Sequence, residues 1–310
     1  MGSVARWAVV AFVACAVAGA EAPARAQEGF GYGAPVARSG DASLLRNRNR
    51  VWADLPFYTG GDSATDIIAF APAVGARWRA APAIEVGLDW GFPFATTKDT
   101  ATGDSAGRFS LGNPYLGASW VDTGPTREIR VGAGLALPVA HVPSVDFGSS
   151  PEEVRDAGLA FLGYTFALAM WGLWNEWLYA PDTLSLVLPA SIDAKVGHAL
   201  RAGGSAALDV AFPVRDSGGS RSTDVFIQLD GYIGYQASES FGFGARLALV
   251  VAPTVDTDDR AQLSLEPYVS ADLEHGFIRV GLLMNVDHPW GFAFDESKVW
   301  ALRTTIGARF

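Results

Sequence analysis

The chain has 310 residues, 49% of them hydrophobic and 18% charged, a formal net charge of -10 and one cysteine. That apolar content excludes a disordered chain, and an acidic balance with no basic patch argues against nucleic acid as a partner. A single cysteine, Cys15, excludes a scaffold held by internal disulfides.

The first 26 residues have the layout of a secretory signal peptide: Arg6, an apolar run from Trp7 to Ala20, and the small-residue pattern Ala24-Arg25-Ala26 before Gln27. The run is too short for a comfortable membrane span of roughly 20 residues, which favours a cleaved signal over an anchor. Cleavage ahead of a lipidated Cys15 fits poorly with Phe12-Val13-Ala14 before it. Residues 27–46 form a short segment, periplasmic or plug-like, before the first strand, and residues 47–310 carry the strands.

From there period-two alternation governs the chain. After "RVWADLPFY", whose facing is ambiguous, "DIIAFAPAVGARWRA" sets Ile68, Phe70, Val74 and Trp78 against Gly75, Arg77 and Arg79. "AIEVGLDWGFPF" sets Ile84, Val86, Leu88 and Trp90 against Glu85, Gly87 and Asp89, and the two runs read as a β-hairpin. "RFSLGNPYLGASWV" is again ambiguous. The later runs place Arg130, Asp193, Arg201, Asp209, Asp230, Arg246, Asp272, Arg279 and Arg303 on their polar faces.

This predicts about twelve antiparallel strands. Short turns near Ala81, Thr123–Thr126, Gly197-His198, Ser238-Glu239 and His275-Gly276 alternate with longer connections, the longest from His141 to Asp182. Short turns on one rim and long loops on the other describe an up-and-down transmembrane barrel. The last run, "WALRTTIGARF", carries Trp300, Leu302, Ile306, Ala308 and Phe310 on one face. Ten residues at ~3.3 Å each, tilted about 40°, separate Trp300 and Phe310 by ~25 Å along the membrane normal, the height of a lipid-facing band. The apolar face is therefore expected to meet lipid and the charges to point into the lumen. A soluble β-sandwich would need more charge on its polar faces than these Gly, Ala and Ser residues supply.

Signal peptide, alternating strands and a final strand ending in an aromatic residue resemble the Gram-negative outer-membrane β-barrel family. The resemblance implies that Trp300, Leu302, Ile306, Ala308 and Phe310 form the strand read by the barrel-assembly machinery. It also implies outer-membrane lipid and lipopolysaccharide as surroundings.

On paper a two-residue turn at His275-Gly276 sets Asp272 across from Arg279, and the first hairpin sets Glu85 across from Arg77. Such pairs support register by a few tenths to ~1 kcal/mol. Together with Asp89 and the charges named above they are the expected lumen lining, where rings of charge tune pores.

One segment breaks the alternation. Ser150-Pro151-Glu152-Glu153 is a capping box with Pro at the first helical position, and residues 157–174 carry no charge. Three arrangements fit it: an apolar helix folded into the barrel mouth or resting on its rim, two more strands giving fourteen, or a helix lying in the lipid interface. Capping chemistry favours the first. Phe161, Phe166, Met170, Trp171, Trp174 and Trp177 would then form an apolar collar on which greasy solutes land, as in the similar outer-membrane channels for hydrophobic compounds.

The four histidines, His141, His198, His275 and His288, show no metal-ligand spacing, and no Ser–His pair assembles from the sequence. No enzyme, metal or cofactor is expected. The acidic residues from Asp256 to Arg260 could bridge divalent cations to lipopolysaccharide. The sequence thus predicts an exported, outer-membrane, all-β channel for passive diffusion of small hydrophobic or amphipathic solutes. A non-conducting structural or adhesion barrel is the alternative.

Overall fold

The computed structural model describes residues 49–61, 65–145, 148–196, 199–214, 222–238, 240–255, 260–273, 276–287 and 300–310. The expected signal peptide, the segment 27–46, His198, His275, His288 and residues 256–259 lie outside the described residues.

Among the described residues the alternating runs form fifteen strands. They are β1 (Arg50–Gly61), β2 (Thr65–Phe70), β3 (Ala73–Ala81), β4 (Ile84–Gly91), β5 (Phe94–Asp99), β6 (Ser105–Phe109), β7 (Pro114–Thr123) and β8 (Arg127–Ala136), followed by β9 (Thr183–Val196), β10 (Leu200–Pro213), β11 (Asp224–Gln236), β12 (Phe241–Val251), β13 (Ala261–Asp272), β14 (Gly276–Asn285) and β15 (Trp300–Arg309). Twelve of them close an antiparallel ring in the order β1, β3, β4, β7 and then β8 to β15, with β15 returning to β1. The seam runs from Arg50↔Arg309 to Phe57↔Leu302 and is finished by reciprocal backbone hydrogen bonds between Asn49 and Phe310. Closure leaves the ring without an edge, which a sheet in hydrocarbon requires.

The other three strands, β2, β5 and β6, were not separate in the sequence reading. Each prolongs a ring strand above the loop rim. The β1 register passes unbroken from Asp54↔Ala73 on β3 to Phe57↔Phe70 on β2, with the interruption at Pro72. Likewise β4 continues into β5 past Pro93, and β6 leads into β7 ahead of Pro114. Proline has no N–H for the ladder, and Pro72 and Pro93 fall at the first two breaks, while Pro114 opens β7 after the third. Strands β5 and β6 form this prolonged hairpin, closed around Asp99 and Asp104.

The facings follow the pattern. Val74, Trp78, Val86, Leu88, Leu116, Trp120, Val131, Leu247, Leu302 and Ile306 are exposed on the outer wall, whereas Arg50, Asp54, Glu85, Arg130, Asp209, Arg246 and Arg303 are buried inside. The facing of β1, ambiguous in sequence, is settled by its buried Arg50 and Asp54 and its exposed Val51 and Phe57. Trp78, Trp120, Tyr235, Phe241, Phe243 and Phe310 cluster toward the turn rim as an aromatic girdle. Inside, glycines give the large side chains somewhere to lie. A Cβ at Gly117 or Gly134 would overlap the Tyr115 ring, and one at Gly75 would overlap Trp52. The Gly-rich polar faces are thus cradles for rings laid flat along the wall.

Two expected cross-strand pairs are corrected by the register. Arg79, not Arg77, faces Glu85, and Ser270, not Asp272, faces Arg279. In the second case the ladder ends at Asp272↔Phe277, and Leu273 and Gly276 bond to each other, so the turn begins earlier than assumed.

Candidate functional site: a plugged lumen

Helix α1 (Pro151–Met170) begins as its capping box dictates: Glu153 N–H donates to Ser150 Oγ at 3.2 Å, and Ser150 N–H donates to the Glu153 carboxylate at 2.6 Å. It packs on the prolonged hairpins above the rim, with Phe166 stacked on Tyr58 at 5.0 Å and Asp156 paired with Arg108 at 3.0 Å. Among the described residues no helix is long and apolar enough to cross a membrane, and the fourteen-strand arrangement gives way to a helix at the mouth.

After α1 the chain turns downward. Gly172, Leu173 and Asn175 all have positive φ (62°, 59° and 58°), a region costly for the last two, and they reverse the backbone into the barrel. Segment 171–180, which includes a 3-10 turn at Glu176–Leu178, then fills the upper lumen as a plug. The wall holds it by its polar groups. Trp171 Nε1–H and Tyr179 O–H both donate to Ala71 O (3.2 and 2.9 Å), and Asn285 Nδ2 donates to Ala169 O at 2.9 Å. Asn113 Nδ2 donates to Trp177 O (3.0 Å) and Ala180 O (2.7 Å), while its own amide N–H donates to Leu178 O. Two arginines cap the indoles: Arg303 lies 4.2 Å from the Trp171 ring centroid and Arg246 4.6 Å from that of Trp174, each contact worth on the order of 1–2 kcal/mol when desolvated.

The expected collar is therefore redistributed. Met170, Trp171, Trp174 and Trp177 are buried, Phe166 is half-buried, and only Phe161, 61% exposed, faces outward as a landing surface would require. The turn after α1 carries the indoles into the lumen, where their rings leave water and meet arginine faces.

The twelve expected lumen charges all lie on strands of the ring. Arg77 pairs with Asp89 at 2.7 Å, Glu85 with Arg50 at 3.0 Å and Arg130 at 3.5 Å, and Asp193 with Arg201 at 3.6 Å. Asp230 pairs with Arg246 at 2.9 Å and Asp272 with Arg309 at 3.3 Å. Arg303 is held by Asp54 at 2.7 Å and Glu266 at 3.5 Å, and Arg279 donates to Thr305 Oγ1 while lying over the Tyr268 ring. Asp209 accepts from Ser185 Oγ at 3.2 Å. Arg50, Asp54, Glu128, Glu266, Asn113, Glu176 and Tyr179 belong to the same interior but were not singled out from sequence. Of these, Asn113 in "GNPY" and Glu176, the lone charge in "WNEWLY", left a signal.

Between plug and wall a cavity of about 110 Å³ remains, lined by Trp52, Tyr115, Trp174 and Trp177 together with the Arg77–Asp89 and Glu85–Arg130 pairs. Of the expected assembly strand, Leu302, Ile306, Ala308 and Phe310 are exposed on the outer wall, and Trp300 is half-buried edge-on to Tyr58. His141, at the loop rim, bonds to Asp182 at 2.8 Å and by its backbone N–H to Tyr164 Oη. No cluster of metal ligands occurs among the described residues.

A closed sheet that turns Leu, Val, Ile and Trp outward and keeps its charges inside is built for lipid, and in fold this chain is an outer-membrane β-barrel. No family model matches the chain, and no curated protein does. Among solved structures it is similar to an outer membrane channel from Pseudomonas putida F1, at 9% identity over 86% of this chain and 97% of that one, with a TM-score of 0.55. It is also similar to the NanC porin (11% identity, 84% and 98% covered, TM-score 0.47) and to the β domain of the Bordetella autotransporter BrkA (12%, 86% and 100%, 0.42). At these identities the likeness is one of fold, and the last two scores carry no argument about function.

Proposed function

We propose that the chain is an outer-membrane channel for passive diffusion of small amphipathic solutes, closed in the state described here by segment 171–180. The observation that carries this reading is the make-up of the cavity. One of its boundaries is the ring wall and the other is the plug, through Trp171, Trp174, Asn175, Trp177 and Leu178. Withdrawal of one connection would open the cavity to the loop rim without breaking a strand. Its volume favours small solutes, and indole faces beside arginine–carboxylate pairs favour molecules with both an apolar face and a polar group.

Liposome swelling tests the reading. Vesicles carrying the barrel with residues 150–180 replaced by a short Gly-Ser linker should admit small aromatic amides and acids faster than sugars of equal mass. Equal rates would remove the amphipathic preference, and no swelling would remove the channel.

A second reading, a non-conducting structural or adhesion barrel, is favoured by the buried ion pairs that occupy much of the lumen. In either case outer-membrane lipid and lipopolysaccharide are the proposed surroundings, and the barrel-assembly machinery is the proposed partner of β15. Phe310, 67% exposed and paired with Asn49 at the seam, is then an assembly determinant. Phe310→Ala should lower the yield of inserted barrel, and an unchanged yield would count against that partner.

A further inference from the structure

At one place the seam between plug and wall brings two acids together. Glu176, on the 3-10 turn of the plug, and Asp209, on β10, are 3% and 0% exposed, and their carboxyl groups are in hydrogen-bond contact. Besides main-chain N–H groups, that of Glu176 itself for Glu176 and that of Val210 for Asp209, the donor described at the pair is Ser185 Oγ, which serves Asp209 Oδ2. Ionised carboxylates only accept, so two of them can be bonded to each other only through a proton that one carries.

We propose that Glu176 and Asp209 share one proton and that this proton is the latch that keeps segment 171–180 seated in the lumen. The inference rests on reading that segment as a removable plug.

The surroundings leave the pair to itself. On β12, Arg246 lies over the Trp174 ring and pairs with Asp230 and Glu266. On β11, Gln228 accepts the Asn175 N–H; on β7, Tyr115 packs against Trp177; and across the lumen Arg77 of β3 is paired with Asp89 of β4. Asp182, beyond the plug, is bonded to His141. Asp209 is the charged group that acts on Glu176.

Burial first, and then the Asp209 carboxyl, push the Glu176 carboxyl well above its ordinary range. The sign follows. Below the ordinary carboxylate pKa both the seated and the released plug hold the proton, and pH has no effect. Above it the released Glu176 ionises while the seated one stays protonated, so seating weakens by about tenfold per pH unit until the seated pair also titrates. Left-handed Leu173 and Asn175, which a released segment need not keep, push the same way. Alkaline pH therefore unseats the plug, and acid seats it.

The test follows the plug directly. In the barrel expressed from Gln27 and refolded into lipid vesicles, Leu178→Cys places a thiol on the buried face of the plug, and Thr100→Cys provides an exposed reference. The alkylation rate of the first relative to the second, with a small maleimide, should rise at least ~tenfold from pH 6 to pH 9. Glu176→Gln should flatten that rise, and Glu176→Leu, which also removes the titrating group, should do the same if the amide variant assembles poorly. A flat ratio in the parent protein, or the same rise in both variants, overturns the latch. Swelling of vesicles that carry the linker-replaced barrel reports on the channel alone, so a silent lumen and a failed latch are told apart.

Discussion

Asn113 joins plug to wall more extensively than any other single side chain described here, and its replacement by Leu should release the plug. The side chain is fully buried. It donates to Trp177 O at 3.0 Å and Ala180 O at 2.7 Å, and it accepts from the Ala140 N–H at 2.7 Å. Leu has the same branching and number of heavy atoms, is somewhat larger and has no polar atom, so the substitution opens no cavity but leaves three backbone groups without this partner. Each costs about 1–3 kcal/mol. Two of these groups, the Trp177 and Ala180 carbonyls, are on the plug, and the low end for both gives ~2 kcal/mol against the seated state, a population shift of roughly thirtyfold. Asn113→Asp separates geometry from chemistry: it can still accept from Ala140 but turns a carboxylate oxygen toward two carbonyls, and it should release the plug at least as strongly. The assay is open probability in a planar bilayer at fixed pH. Parent-like records from both variants would refute the view that these hydrogen bonds hold the plug.

Three further outcomes follow from the same contacts. Arg303→Met removes the cation between Asp54 and Glu266 and leaves buried carboxylates under-compensated, so resistance to urea unfolding in lipid should fall by about 3–5 kcal/mol; a change below ~1 kcal/mol would show that water compensates them. Gly75→Ala places a Cβ where the Trp52 ring now lies, which forces the indole into the cavity and should lower the conductance of the linker-replaced barrel, while Gly124→Ala, whose Cβ meets nothing closer than 3.5 Å, should leave conductance unchanged. At the start of α1 the Ser150 N–H holds the Glu153 carboxyl below its ordinary pKa. The cap therefore contributes above the ordinary carboxylate value and is lost as pH falls through the lowered one. Amide exchange at residues 151–155, compared with β10 amides at each pH, should show this fraying on acidification, and Ser150→Ala should show it at neutral pH as well.

The strands were legible because lipid on one side and a charged lumen on the other write the same period-two signal along each of them. Leu302, Arg303, Thr304, Thr305 and Ile306 show it within five residues. The capping box was legible too, since Ser150 and Glu153 are local. Facing was lost in β1, where Arg50, Trp52 and Asp54 mix a ring with charges on the lumen side. Proline breaks were missed because Pro72 and Pro93 sit on otherwise regular runs, and their effect is to divide a strand without moving its register. The charge pairs failed by one pairing step, as with Arg79↔Glu85, because each turn sits one residue from where the sequence placed it, and long arginines reach further still: Arg50 on β1 meets Glu85 on β4 over β3. Least legible was the plug. An apolar run from Ala157 to Trp174 looks the same whether its indoles face lipid, solvent or a barrel interior, and the turn at Leu173 that decides the matter uses a backbone region leucine rarely adopts.

The central claim is that segment 171–180 closes an otherwise continuous lumen. Single-channel recording of the refolded barrel, with and without residues 150–180 replaced by a Gly-Ser linker, tests it most directly. The structure predicts rare or small events from the intact chain and a steady, larger current from the variant. Silence from both, with each protein shown to be folded and inserted, would contradict it and leave the ion pairs of the wall as the true closure.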